Sequence, residues 1–302
     1  MNPYGKKSIP AVTLSVGIRI FALRATFQAI IFSSYLLAGT LIYRHPYTTN
    51  TLKGAMDQSR LIFVEGIMGS GKSTTARWLA RLFRRAGIPA RPVPEACPHP
   101  TNVFRTLPHW KQPWLDQTTE ELVNRSCAKW QAFVTSALLD PHIFVFDGQL
   151  FHGDFTCLLL MACTPEYLHQ YVHTVLQLVQ PLHPKIIYCY QSDVAQALDH
   201  IGAQRGQRWV ESQVDWKVAS PYAQQRGYVG IDGWKQLYRD YRQLTDKFLQ
   251  TLPIPKIAIE TSAGEWSSYQ MRICKFLDLP FVPQPFWQHW FYKLYDYLVD
   301  IR

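Results

Sequence analysis

A short apolar run, Leu61–Glu65 (LIFVE), leads directly into Gly66-Ile67-Met68-Gly69-Ser70-Gly71-Lys72-Ser73, and this junction constrains the chain more than any other feature. The octapeptide satisfies G-x-x-x-x-G-K-[ST], a loop between strand and helix whose backbone N–H groups converge on phosphate oxygens. Glycine is needed where a Cβ would block that close approach. Trp78, Leu79, Leu82 and Phe83 follow at helical spacing, and Gly87 is placed to close the helix at its C′ position. The start of that helix adds partial positive charge to the loop. Gly66, Ile67, Met68, Gly69, Ser70, Gly71, Lys72, Ser73 and Thr74 are therefore the expected nucleotide-binding segment. In it Lys72 would bridge the β- and γ-phosphates of ATP, and the Ser73 hydroxyl would ligate Mg²⁺.

Apolar runs and helical stretches continue to alternate, as an α/β fold with a parallel sheet requires. Strands are expected at 90–95, 142–146, 185–190 and 256–260, and helices at 118–139, 165–179, 194–201, 233–249 and 265–277. The expected architecture is a three-layer fold, a five-stranded parallel sheet with helices on both faces and a basic lid. It would occupy residues 56–280, between an N-terminal extension, 1–55, and an aromatic terminal helix, 281–302. Trp287, Trp290, Phe291, Leu294 and Leu298 recur at helical intervals in that last segment, which suits a packed helix better than a nucleic-acid stacking surface.

Three further sites carry candidate chemistry. Glu95 stands in R-P-V-P-E-A after the second strand, and Asp147 ends the very apolar I-F-V-F-D. Arg205 and Arg208 flank Gly206 in A-Q-R-G-Q-R-W-V-E. A carboxylate closing a buried strand beside a phosphate loop suits Mg²⁺ or its water shell. Arginine suits a phosphate lid because its planar fork holds oxygens bidentately. Asp193 reads as a helix cap, and Asp154 in F-H-G-D-F is ambiguous. His169 and His173 stand four apart, but Mg²⁺ chemistry does not call for imidazole, and a surface or acceptor-site position is expected.

On these motifs residues 60–278 resemble the thymidylate kinase and deoxynucleoside kinase group of P-loop kinases. The resemblance implies a general-base role for Glu95 toward the acceptor hydroxyl, a catalytic role for Lys72 and Asp147, and lid roles for Arg205 and Arg208. It also implies ATP and Mg²⁺ as cofactors, with Ser73 and Asp147 as the metal residues, and a nucleoside or nucleoside monophosphate as the small-molecule acceptor. Two departures stand out. Gly148-Gln149 follows Asp147 where that group has Arg, and the lid reads R-x-x-R without an Arg-x-Arg doublet. A kinase for another small hydroxylated molecule, such as an antibiotic or metabolite, is the first alternative; a nucleotide-dependent switch without a small acceptor is the second.

The formal charge of +9 does not imply a nucleic-acid partner. Six Lys/Arg and no Asp or Glu fall in residues 1–55, leaving a charge of +3 over the remaining 247 residues, without the clustering a nucleic-acid footprint needs. Six cysteines without a C-x-x-C pair fit a reducing, cytoplasmic setting. Residues 25–43 are uncharged and just long enough to span a bilayer, although five Ser, Thr and Gln residues dilute them. The extension can be read as a membrane anchor, a cleaved targeting segment, or sequence upstream of a natural start at Met56, and the third reading is preferred. The oligomeric state is left open, a homodimer being compatible with the chain.

Overall fold

The structure, a computed structural model, describes residues 59–95 and 99–281. The N-terminal extension, the Met56 start and the aromatic run from Trp287 to Leu298 lie outside the described residues. So does Cys97; the other five cysteines form no disulfide.

Strand β1 (Leu61–Glu65) is buried at every position, so it must be covered on both faces. Side chains alternate along a strand. Leu61 and Phe63 therefore enter one core with Trp130, Phe146 and Tyr188, while Ile62 and Val64 enter a second with Trp78, Leu79 and Ile187. Around β1 lie β2 (Ala90–Val93), β3 (Ile143–Asp147), β4 (Lys185–Tyr190) and β5 (Lys256–Glu260), all parallel, in the spatial order β2-β3-β1-β4-β5. The fold class is α/β, a five-stranded parallel sheet with helices on both faces.

Helix α1 (Lys72–Arg85) and helix α9 (Trp266–Phe276) cover the second core. The first is covered by α2 (Thr119–Leu139), α3 (Asp154–Leu160), α4 (Pro165–Val179), α5 (Val194–Arg205) and α8 (Gly230–Thr251). Local chemistry sets several of these boundaries. At the end of α1 the Gly87 N–H donates to Arg84 and the Ile88 N–H to Phe83, a two-bond helix stop made possible by the positive φ of Gly87. Thr118 and Glu121 cap the start of α2 reciprocally, and Asp193 caps α5 through the Gln196 N–H, as expected for that residue.

Three helices had no counterpart in the sequence pattern: α3, α6 (Gln207–Val218) and α7 (Pro221–Gln225). The lid region is thus helical, α5 and α6 meeting at Gly206, whose φ is 88°. Among the described residues no helix is long and apolar enough to cross a membrane.

Parallel register brings Asp147 beside Val64, and Glu65 beside Tyr188. The carboxyl ends of β1, β3 and β4 therefore open at one edge of the sheet. The connections leaving β1 and β4 run to opposite edges, the arrangement that opens a ligand crevice in parallel sheets.

Candidate functional site

The glycine-rich loop leaves β1 at this edge. Gly66 has φ 144°, and a Cβ there would lie 2.0 Å from the Cys189 carbonyl oxygen of β4, so no other residue fits without moving the sheet. Neighbouring segments hold the loop by its carbonyls. Gln191 Nε2 donates to Gly69 at 3.0 Å, and Thr261 Oγ1 donates to Ser70 at 2.9 Å. Ile67 is packed in the core and Thr74 is exposed. The N–H groups of Lys72, Ser73 and Thr74, in the first turn of α1, have no helical partner and face outward from its start.

Lys72 is nearly buried, and its Nζ lies 3.8 Å from Glu95 Oε2. Gly148 makes this possible. With φ 62° and no side chain it lets the Lys72 stem pass, since a Cβ would lie 2.8 Å from Lys72 Cε. The position that carries Arg in the resembling kinases is here used to seat the lysine.

Asp147 is buried at the end of β3, and its Oδ1 has no hydrogen-bond partner among the described residues. Burial raises its carboxyl above the usual range, while Lys72 and the Ser73 hydroxyl pull it back. Glu95 behaves oppositely. Burial would raise it, but Lys72, His152, Arg105 and Lys217 together hold its carboxyl below the usual range. Its other oxygen is 3.5 Å from the Arg105 guanidinium. Lys72, Glu95 and Asp147, three of the expected catalytic residues, thus meet from three separate segments.

Three side chains here were not singled out in the sequence. Glu65, fully buried at the end of β1, accepts the N–H groups of Gln149 (2.8 Å), Leu150 (2.7 Å) and Phe151 (3.3 Å), fixing the turn after β3. Tyr241 donates to the Phe151 carbonyl at 2.6 Å and lies 3.0 Å from His152 Nδ1. His152 is buried with its imidazole pushed down to about 3, chiefly by burial and then by Lys72. The signal for Glu65 is present in the sequence, where it is a lone carboxylate ending an apolar strand as Asp147 is.

Burial pushes the Glu65 carboxyl up to about 7, against the pull of its three N–H donors. A carboxyl raised in the folded state stabilises fully below its unfolded value of about 4.5 and loses that contribution as pH rises through 7. The stability of the wild type relative to Glu65→Gln should therefore fall between pH 4.5 and 7, by on the order of 3 kcal/mol. Paired urea titrations at several pH values measure it; a constant difference would mean that the three N–H bonds keep Glu65 ionised throughout.

Beyond Glu95 the site is aromatic. The Arg105 guanidinium lies 5.7 Å from the Phe104 ring and 5.4 Å from the Trp110 ring, and Trp110 meets Trp216 of α6 edge-on at 5.2 Å. Phe151 and Phe155 are core residues with no exposure. Asp154 is structural. It accepts the Val103 and Phe104 N–H groups and the Ser126 hydroxyl, tying the 102–106 segment to α3.

The lid arginines stand apart from the three central residues. Arg205 ends α5 and Arg208 is the second residue of α6; both are exposed, and neither makes a hydrogen bond or ion pair with a described residue. Arg208 lines a groove of about 620 Å³ whose walls include Trp110 and Trp216. His169 and His173 lie 3.2 Å apart on α4, with His169 beside Thr251, away from the loop.

No protein-family model matches the chain, and no curated protein sequence matches it. Among solved structures it is similar to a deoxyadenosine kinase from M. mycoides with bound dATP, at 13% identity over 71% of this chain and 98% of that one, with a TM-score of 0.42. It is similar also to a thymidylate kinase from Candida albicans, at 14% identity over 72% of this chain and 92% of that one, again with a TM-score of 0.42. The fold class rests on the sheet itself, and the functional reading rests on the residues gathered at its edge.

Proposed function

We propose that the chain is an ATP- and Mg²⁺-dependent phosphotransferase acting on a small hydroxylated acceptor. The observation that carries this is the meeting of Lys72, Glu95 and Asp147 at the mouth of the glycine-rich loop. The first-turn N–H groups of α1 and Lys72 would hold the donor phosphates. Ser73 and Asp147 would hold a hydrated Mg²⁺, since Asp147 Oδ1 is an orphaned oxygen beside a hydroxyl. The ion supplies charge neutralisation on the phosphates. Glu95 orients the acceptor hydroxyl and takes its proton. The acceptor oxygen bonds to the γ-phosphorus, and the bond from that phosphorus to ADP breaks. Arg205 and Arg208 would close over the transferring group from the Gly206 break. Catalysis is then chiefly positioning plus electrostatic stabilisation.

A nucleoside or nucleoside monophosphate acceptor follows from the motif resemblance. A different hydroxylated acceptor is favoured by one observation, that Gly148 seats Lys72 where those kinases present Arg. The test is ATP consumption by the full chain with Mg²⁺ against nucleosides, nucleoside monophosphates, aminoglycosides and hydroxylated metabolites. Acceptor-stimulated ADP formation is expected. Steady hydrolysis indifferent to every acceptor would instead favour a nucleotide switch.

A further inference from the structure

Lys217, near the end of α6, is 2% exposed. Its Nζ lies 3.3 Å from the centre of the Trp216 ring and makes no hydrogen bond or ion pair with any described residue. A buried ammonium without a carboxylate or carbonyl is a costly arrangement, and a ring face compensates for it only in part. Burial pushes the amine down to about 7, with Cys157 and Glu95 drawing it up and Arg105 pressing it down.

A chain of contacts connects this ammonium to the central residues. The Trp216 ring stacks on Phe104 (6.5 Å, 25°) and touches Trp110; these two rings carry Arg105; Arg105 reaches Glu95; Glu95 reaches Lys72. Along that path two buried donors have no partner among the described residues: Arg105 Nε and Trp216 Nε1. Unpaired buried donors are rare in folded proteins and point to a missing partner. Here the surplus is of cations and N–H donors, and Glu95, whose charge acts on both Arg105 and Lys217, already pairs with Lys72 and Arg105.

We propose that Lys217 and Arg105 together form an anion receptor in the acceptor site, so that the molecule phosphorylated brings its own phosphate or carboxylate group, held by these two side chains. The inference rests on the phosphotransferase reading and narrows its acceptor. The held anion makes and breaks no bond in the transfer. Lys217 is a specificity-determining residue, and the aromatic wall of Phe104, Trp110 and Trp216 keeps water from its charge.

The experiment uses the full chain and matched pairs of compounds: thymidine with thymidine 5′-monophosphate, ribose with ribose 5-phosphate, and glycerol with glycerate. Calorimetry without ATP reads binding, and ADP formation with MgATP reads transfer. The charged member of a pair should bind about 10- to 100-fold more tightly, as expected for a charge-assisted hydrogen bond. Lys217→Met, close in shape and apolar, should erase most of that ratio, and Lys217→Gln should do the same; melting curves establish that both fold. Which pair responds distinguishes a phosphate from a carboxylate. Equal binding of the two members, failure of every charged member to bind, or a ratio unchanged in both variants would overturn the proposal and leave Lys217 as a packing residue. Lys217-dependent binding of a charged compound without ADP formation would sustain the receptor and overturn the phosphotransferase. Transfer to an uncharged member alone would do the reverse.

Discussion

Replacing Lys72 with methionine should lower acceptor-stimulated ADP formation by about 100- to 1,000-fold or more, the range seen when a group aimed at transition-state charge is lost. Methionine preserves the stem that passes over Gly148, so the variant removes charge without opening a cavity. Alanine would remove both, and the comparison separates the two contributions. Stability should change little, because Lys72 pairs with a Glu95 whose side chain is one-third exposed, and such pairs contribute about 1 kcal/mol or less. A secondary effect follows from the electrostatics. Lys72 helps to hold down the carboxyls of both Glu95 and Asp147, so both should titrate at higher pH in the variant. Steady-state kinetics with a melting curve checks the first point. Turnover within a fewfold of wild type in a folded variant would mean that the loop does not hold a reacting phosphate.

Much of the scaffold was legible in the sequence because short-range signals set it. β1, α4, β4 and β5 begin and end where the apolar runs, Pro165 and the flanking polar residues place them. Helices α3 and α6 escaped notice for opposite reasons. DFTCLLL is apolar almost throughout and shows no period, whereas QRWVESQVDWKV is polar on most of its surface, and Lys217 is its one fully buried side chain. The residues of the site divide in the same way. Lys72, Ser73 and Asp147 belong to local patterns. Arg105 and Lys217 matter only because folding brings segments more than 100 residues apart to the same aromatic wall, and no spacing encodes that. Gly148 was visible as a departure from a motif, but its purpose, clearance for the Lys72 stem, required coordinates.

Glu95→Gln should reduce turnover by about 100- to 10,000-fold, with little change in KM for ATP. Glutamine preserves the size of the side chain and one oxygen, but it cannot accept the acceptor's proton. The cations around Glu95 give the pH dependence its sign. They hold its carboxyl below the usual value near 4.5, so the group is ionised throughout the neutral range. The acid limb of kcat attributable to Glu95 should therefore lie below pH 4.5, and the rate should show no Glu95 dependence between pH 5 and 8. A carboxylate held this low is a weak base. It serves a loose phosphoryl-transfer transition state nonetheless, because there the hydroxyl proton moves late and orientation matters more than basicity. Arg105→Ala removes one of those cations and should move the limb upward; a downward or absent shift would contradict the assigned pairing. If Glu95→Gln instead raised the acceptor KM while leaving kcat intact, Glu95 would bind the ground state and the proton would leave by another route.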